Sequence, residues 1–251
     1  MPYKRGRPVI DLSLPFRLAS ALAYFMVLPF AICMNVMQHS TRFKHLWRLR
    51  DIRKAITVSN HTTFFDPVKI SMLVLPGLVY QTLLEATVEF PVLGTFVRLL
   101  GGVPLPRGKA GYGKLLEICK RSFKYRRFLH FYSEGECFLY NQEIQKFQSG
   151  AFRLAADLDI PIVPMVTVFA DGPFKPWSIL GRSLPKETFV ILDAVYPSQY
   201  VRRDENGELS AESIKEFAEE VRQKMQTEID KRHGSHAFYR GQMERIKGLN
   251  D

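Results

Sequence analysis

His61 and Asp66, five positions apart in His61-Thr62-Thr63-Phe64-Phe65-Asp66, follow the strand-like run Ala55-Ile56-Thr57-Val58-Ser59-Asn60. On one continuous helix such residues lie roughly 140° apart around the axis and never meet. Where a strand turns into a helix, the carboxylate can fold back onto the imidazole. An imidazole held this way is fixed in tautomer and strengthened as a base near neutral pH, which is the requirement for general-base chemistry. The same two residues also fit a structural role, with His61 closing the strand and Asp66 opening a helix at Pro67.

Further blocks follow in order. The first is Phe90-Pro91-Val92-Leu93-Gly94 leading to Gly101-Gly102 and Val103-Pro104-Leu105-Pro106-Arg107. Next come Phe131-Tyr132-Ser133-Glu134-Gly135-Glu136-Cys137, then Phe147-Gln148-Ser149-Gly150-Ala151-Phe152-Arg153, then Ile160-Pro161-Ile162-Val163-Pro164-Met165. With the His61/Asp66 block, this set resembles the glycerolipid acyltransferase family typified by 1-acylglycerol-3-phosphate acyltransferases, over about residues 55 to 170. The resemblance implies His61 as general base, Asp66 as its orienting carboxylate, Arg107 as an anion contact, and Glu134 with Gly135 as part of the acceptor site. It implies transfer from acyl-CoA or an acidic acyl carrier protein to a membrane lipid acceptor, with no metal and no cofactor.

The third block departs from the family pattern. Glu136 stands in place of the usual threonine and Cys137 in place of the usual arginine, while Glu85 lies near the place of a usual lysine. Each such change moves the local charge toward negative, which a phosphate dianion feels strongly in a desolvated site. The resemblance implies a lysophosphatidate-like glycerolipid as acceptor, and the altered block leaves two alternatives open: a lysophospholipid or other amphipathic acceptor lacking a phosphate monoester, or an inactive membrane-binding homologue.

At 251 residues with 46% hydrophobic content the chain holds a good-sized core. The net charge of +10 calls for an acidic partner such as an anionic membrane surface or an acidic carrier. Nucleic acid is set aside, because no recognition motif is present and the apolar N-terminus has no use there. Cys33, Cys119 and Cys137 have no metal spacing and suit a reducing compartment. A nucleophilic role for Cys137 is opposed by Glu134 and Glu136, which disfavour a thiolate.

Leu18 to Met34 is almost wholly apolar, would be about 26 Å long as a helix, and contains Pro29, a residue expected to bend it. Lys4, Arg5 and Arg7 precede it, and Arg42, Lys44, Arg48, Arg50, Arg53 and Lys54 follow. Cations on both flanks fit an interfacial helical hairpin on the cytoplasmic face of the cell membrane better than one crossing, and the resembling family also carries an N-terminal helical pair. The expected organisation is a membrane-associating segment over 1–54 and a catalytic domain over 55–251.

After residue 55, strands are expected at 55–60, 78–84, 128–132, 162–169 and 189–195, and helices at 67–75, 91–100, 111–125, 150–158 and 211–229. This alternation predicts the α/β class, a sandwich around a central, mostly parallel mixed sheet.

Overall fold

The computed structural model describes residues 10–39, 41–75, 77–89, 92–105, 109–171 and 185–244. In chain order the elements are α1 (Leu14–His39), β1 (Arg42–Lys44), β2 (Ala55–Ser59), α2 (Asp66–Leu73), β3 (Tyr80–Leu84), α3 (Glu85–Glu89) and α4 (Leu93–Leu99). They continue with β4 (Gly102–Leu105), α5 (Lys109–Ser122), β5 (Phe128–Tyr132), α6 (Gly150–Leu158), β6 (Ile162–Ala170), β7 (Lys186–Ile191) and α7 (Ala211–Lys231). The fold is the expected α/β sandwich around a mostly parallel mixed sheet of seven strands. Pairs β1–β7, β2–β6, β3–β4 and β3–β5 are parallel, and β6–β7 is antiparallel.

The chain divides into two compact units, one of Met1–Ile32, Pro67–His130 and Glu244–Asp251, the other of Cys33–Asp66 and Phe131–Met243. In the second, the strands run β1-β7-β6-β2, followed by the end of β5. All five residues of β2 are buried, as a parallel strand covered on both faces requires. Helix α6 packs on β2 and α7 on β6, with Phe152 and Phe217 meeting edge to face at 5.4 Å. Asn60 extends the β2 ladder by one residue. Its side chain donates to the Thr167 carbonyl at 3.2 Å and accepts the Thr167 N–H at 2.9 Å, which fixes where His61 begins.

Strand β7 lies earlier than the expected 189–195 and stops at Pro164. Leu192 donates to the Pro164 carbonyl at 2.9 Å, but a proline has no N–H to return the bond, so the regular ladder breaks there and resumes only as an antiparallel bridge between Ile162 and Val195.

In the first unit the order is β5-β3-β4. Gly101, at φ +89, ends the turn after α4, and a Cβ there would run into the Val79 carbonyl oxygen; glycine is the residue this helix end demands. Strand β4 starts at a glycine and contains Pro104, a composition suited to a sheet edge but silent as a strand signal. Helix α3 is five residues long, too short to show a period, and Glu85 opens it as acidic residues commonly do.

The N-terminal run differs from the expected hairpin: Leu14–His39 is one helix of 26 residues that continues through Pro29. Within the first unit Ser20, Tyr24 and Leu28 form its buried face. Ser20 Oγ donates to the Leu99 carbonyl and Tyr24 OH to that of Val79. Arg126 clamps the same face, donating to the Val79 carbonyl at 2.6 Å and to Ser20 Oγ at 3.1 Å, with its guanidinium 3.8 Å from the Tyr80 ring centroid. Packing on this face supplies what the proline withholds from the ladder. Leu14, Leu18, Leu22, Phe25, Met26 and Phe30 form the opposite, exposed stripe.

Candidate active site

His61 follows Asn60 at the C-terminal end of β2, where parallel sheets carry their sites. The chain then turns sharply, with Asp66 N–H donating to the Thr63 carbonyl at 3.2 Å. This turn does what the five-residue spacing requires. Asp66 Oδ2 lies 2.7 Å from His61 Nδ1 and also accepts the N–H groups of Thr62 at 2.6 Å and Thr63 at 2.9 Å. Its Oδ1 accepts Thr63 Oγ1 at 2.7 Å. Four donors thus converge on a carboxylate that is 1% exposed. The carboxylate assigns the proton to Nδ1 and leaves Nε2 as the lone-pair nitrogen of a side chain 20% exposed.

Two further groups hold the histidine. Tyr132, the last residue of β5, stacks on the imidazole with ring centroids 4.1 Å apart and planes 23° from parallel. The His61 main chain is bonded on both sides, its N–H donating to Glu134 Oε1 at 3.0 Å and its carbonyl accepting from Phe138 at 2.8 Å. Glu134 Oε2 accepts the Gln145 N–H at 2.9 Å. Burial pushes the Glu134 carboxyl up to about 7, and the charge of Asp66 adds to this, against the lowering effect of its two main-chain donors. Gly135, at φ +80, closes the turn with its N–H on the Tyr132 carbonyl at 3.0 Å, a conformation that glycine adopts without strain.

The structure therefore brings together His61, Asp66 and Glu134, with Gly135 shaping the turn beside them. Arg107 and Pro91 lie outside the described residues. Thr62 and Thr63 spend their N–H groups on the Asp66 carboxylate. Phe64 is 75% exposed and so is no core residue. Cys137 is buried, and His130 is wholly buried within β5. Arg126 is spent on the α1 clamp, whereas Lys114, Lys120, Arg121, Lys124 and Arg127 are exposed. Among the described residues no group of three His, Cys, Asp or Glu side chains has the arrangement of a metal site.

Sequence reasoning missed Tyr132 and Gln145 as partners of the site. Tyr132 carries one usable signal, its place immediately before Ser133-Glu134-Gly135 at a strand end. Gln145 carries none, because its contribution is a main-chain N–H.

An imidazole steered by a buried carboxylate at the end of a parallel strand has the geometry to take a proton from a hydroxyl as it attacks an acyl group. The acyltransferase family model matches residues 40–168, half of the chain and all of the residues just described. The chain belongs to the acyltransferase family. Among solved structures it is similar to the crystal structure of the 1-acyl-sn-glycerophosphate (LPA) acyltransferase PlsC from Thermotoga maritima, with a TM-score of 0.54 and 17% sequence identity over 88% of this chain and 81% of that one. At that identity the likeness is one of fold. No curated protein matches the chain.

Proposed function

We propose that this acyltransferase moves a fatty acyl group from an acyl thioester to the hydroxyl of a lysophosphatidate-like glycerolipid. The observation that carries the reading is the 2.7 Å contact between His61 Nδ1 and Asp66 Oδ2. His61 Nε2 takes the acceptor's hydroxyl proton as that oxygen attacks the thioester carbonyl, and Asp66 stabilises the imidazolium. The tetrahedral intermediate then expels the thiolate, which leaves with the proton from His61. Base catalysis of this kind supplies roughly 10²- to 10⁴-fold, so the positioning of thioester and acceptor provides much of the remainder.

The donor is acyl-CoA or an acidic acyl carrier protein, drawn to a chain of net charge +10. Arg107 serves as the anion contact, and the Glu134-Gly135 turn borders the acceptor. The exposed apolar stripe of α1 rests on the cytoplasmic face of the cell membrane, from which the acceptor is taken.

A second reading of the acceptor is favoured by the third block, where Glu136 and a buried Cys137 replace the family's threonine and arginine. In that reading the acceptor is a lysophospholipid without a phosphate monoester. Lipid mass spectrometry after incubation with palmitoyl-CoA and a panel of lyso-lipids separates the two. Acylation of 1-oleoyl-lysophosphatidate ahead of lysophosphatidylcholine and lysophosphatidylethanolamine is expected. The reverse preference establishes the second reading, and no acylation of any member contradicts both.

A further inference from the structure

Glu134 spends both carboxylate oxygens on main-chain donors. Oε1 takes the N–H of His61 and Oε2 that of Gln145, at 3.0 and 2.9 Å, and the side chain is 6% exposed. The Gln145 side of this strap is itself anchored. Its neighbour Ile144 donates to Gln226 Oε1 of α7 at 2.9 Å, and the Gln226 amide donates to the Gln142 carbonyl at 3.0 Å. Gln142 in turn grips β6, donating to the Thr167 carbonyl at 3.2 Å and accepting the Phe169 N–H at 2.9 Å. Glu134 therefore ties the peptide of the base to a segment fixed on a central strand and a long helix.

Charge argues in the same direction. Asp66 already lies close enough to raise the Glu134 carboxyl, and a phosphate brought to the same place would meet the Asp66 charge in a poorly solvated setting. A group so placed suits holding the protein's own N–H groups better than receiving an anionic acceptor.

We infer that Glu134 is a positioning residue which sets the His61 main chain, and through it the imidazole, and that it does not touch the acceptor. The inference rests on the reading of His61 as general base. Glu134→Gln keeps the shape but replaces one accepting oxygen by an NH₂ donor, which must face one of the two N–H groups. Glu134→Asp keeps the charge but is one methylene too short to reach both.

The test uses the full chain, palmitoyl-CoA as donor and 1-oleoyl-lysophosphatidate as acceptor probe. It reads acyl-transfer kcat, acceptor KM, acceptor-independent hydrolysis of the thioester, and amide hydrogen exchange. For both variants kcat and thioester hydrolysis are expected to fall together by roughly tenfold to a hundredfold, with acceptor KM changed by less than about twofold. Exchange at the His61 and Gln145 amides is expected to quicken by roughly tenfold while the β6 amides keep their protection.

A rise in acceptor KM, with hydrolysis and exchange as in wild type, overturns the inference and returns Glu134 to the acceptor site. His61→Ala separates the two layers of argument. If it retains transfer, the reading of the base fails whatever Glu134 does. If it abolishes transfer while Glu134→Gln leaves hydrolysis and exchange unchanged, only the positioning inference fails.

Discussion

Asp66 and Glu134 are two buried carboxylates within one short stretch of fold, and their surroundings separate them. Asp66 is surrounded by donors: two N–H groups, one hydroxyl and the imidazole. Glu134 has two N–H donors and is dominated by burial, which carries its carboxyl from an ordinary 4.5 up to about 7. Between those two values the folded chain keeps a proton that the unfolded chain has lost, so stability falls as pH rises. The contribution is fully present below 4.5 and is gone once pH has passed about 7. It amounts to about 3 kcal/mol. Urea unfolding at pH 5 and pH 8 checks the sign: Glu134→Gln is expected to flatten this part of the profile, and a slope as steep as wild type contradicts it. The His61/Asp66 pair was legible in the sequence because its spacing, useless on a helix, becomes productive at a turn. Tyr132 was not, because its stacking on His61 depends on where two strands distant in sequence come to end.

Elements with strong local signals fall where the sequence places them. Phe128–Tyr132 is bounded by cations and a turn, and Gly150–Leu158 is amphipathic, so both carry their ends in the sequence. The missed elements are the short ones: β1 with three residues, α3 with five, and β4 with its glycine and proline. At α1 the cations on both flanks favoured a hairpin in the sequence reading and Pro29 was expected to bend the run, but tertiary packing overrides the local penalty. Ser20, Tyr24 and the Arg126 clamp hold one face, and the other presents Phe25 at 81% exposure amid a run of apolar neighbours. Such a stripe has a use at a lipid surface. Replacing Leu18, Leu22 and Phe25 together by serine leaves the buried face intact, so folding is expected to hold. With each side chain worth about 1.5–3 kcal/mol on burial, partitioning onto lipid vesicles is expected to drop by about a hundredfold or more. Sedimentation with vesicles reads this directly, and unchanged binding removes α1 from the membrane contact.

For the molecule as a whole, 35 Lys and Arg stand against 25 Asp and Glu. This excess suits the anionic donor and surface proposed above, but charge alone names neither. The class of chemistry was readable from the order of the sequence blocks, and the family match over residues 40–168 agrees with it. The acceptor was less readable, because the block expected to hold its phosphate has exchanged cationic and neutral residues for Glu136 and Cys137. Every part of the mechanism depends on an imidazole, held by a buried carboxylate, acting as the base. Its most direct test is the rate of thiol release from palmitoyl-CoA in the presence of the preferred lyso-lipid, for wild type and for His61→Ala. A fall of roughly 10²- to 10⁴-fold in the variant, with its thermal unfolding unchanged, is the predicted result; equal rates from the two proteins contradict the account.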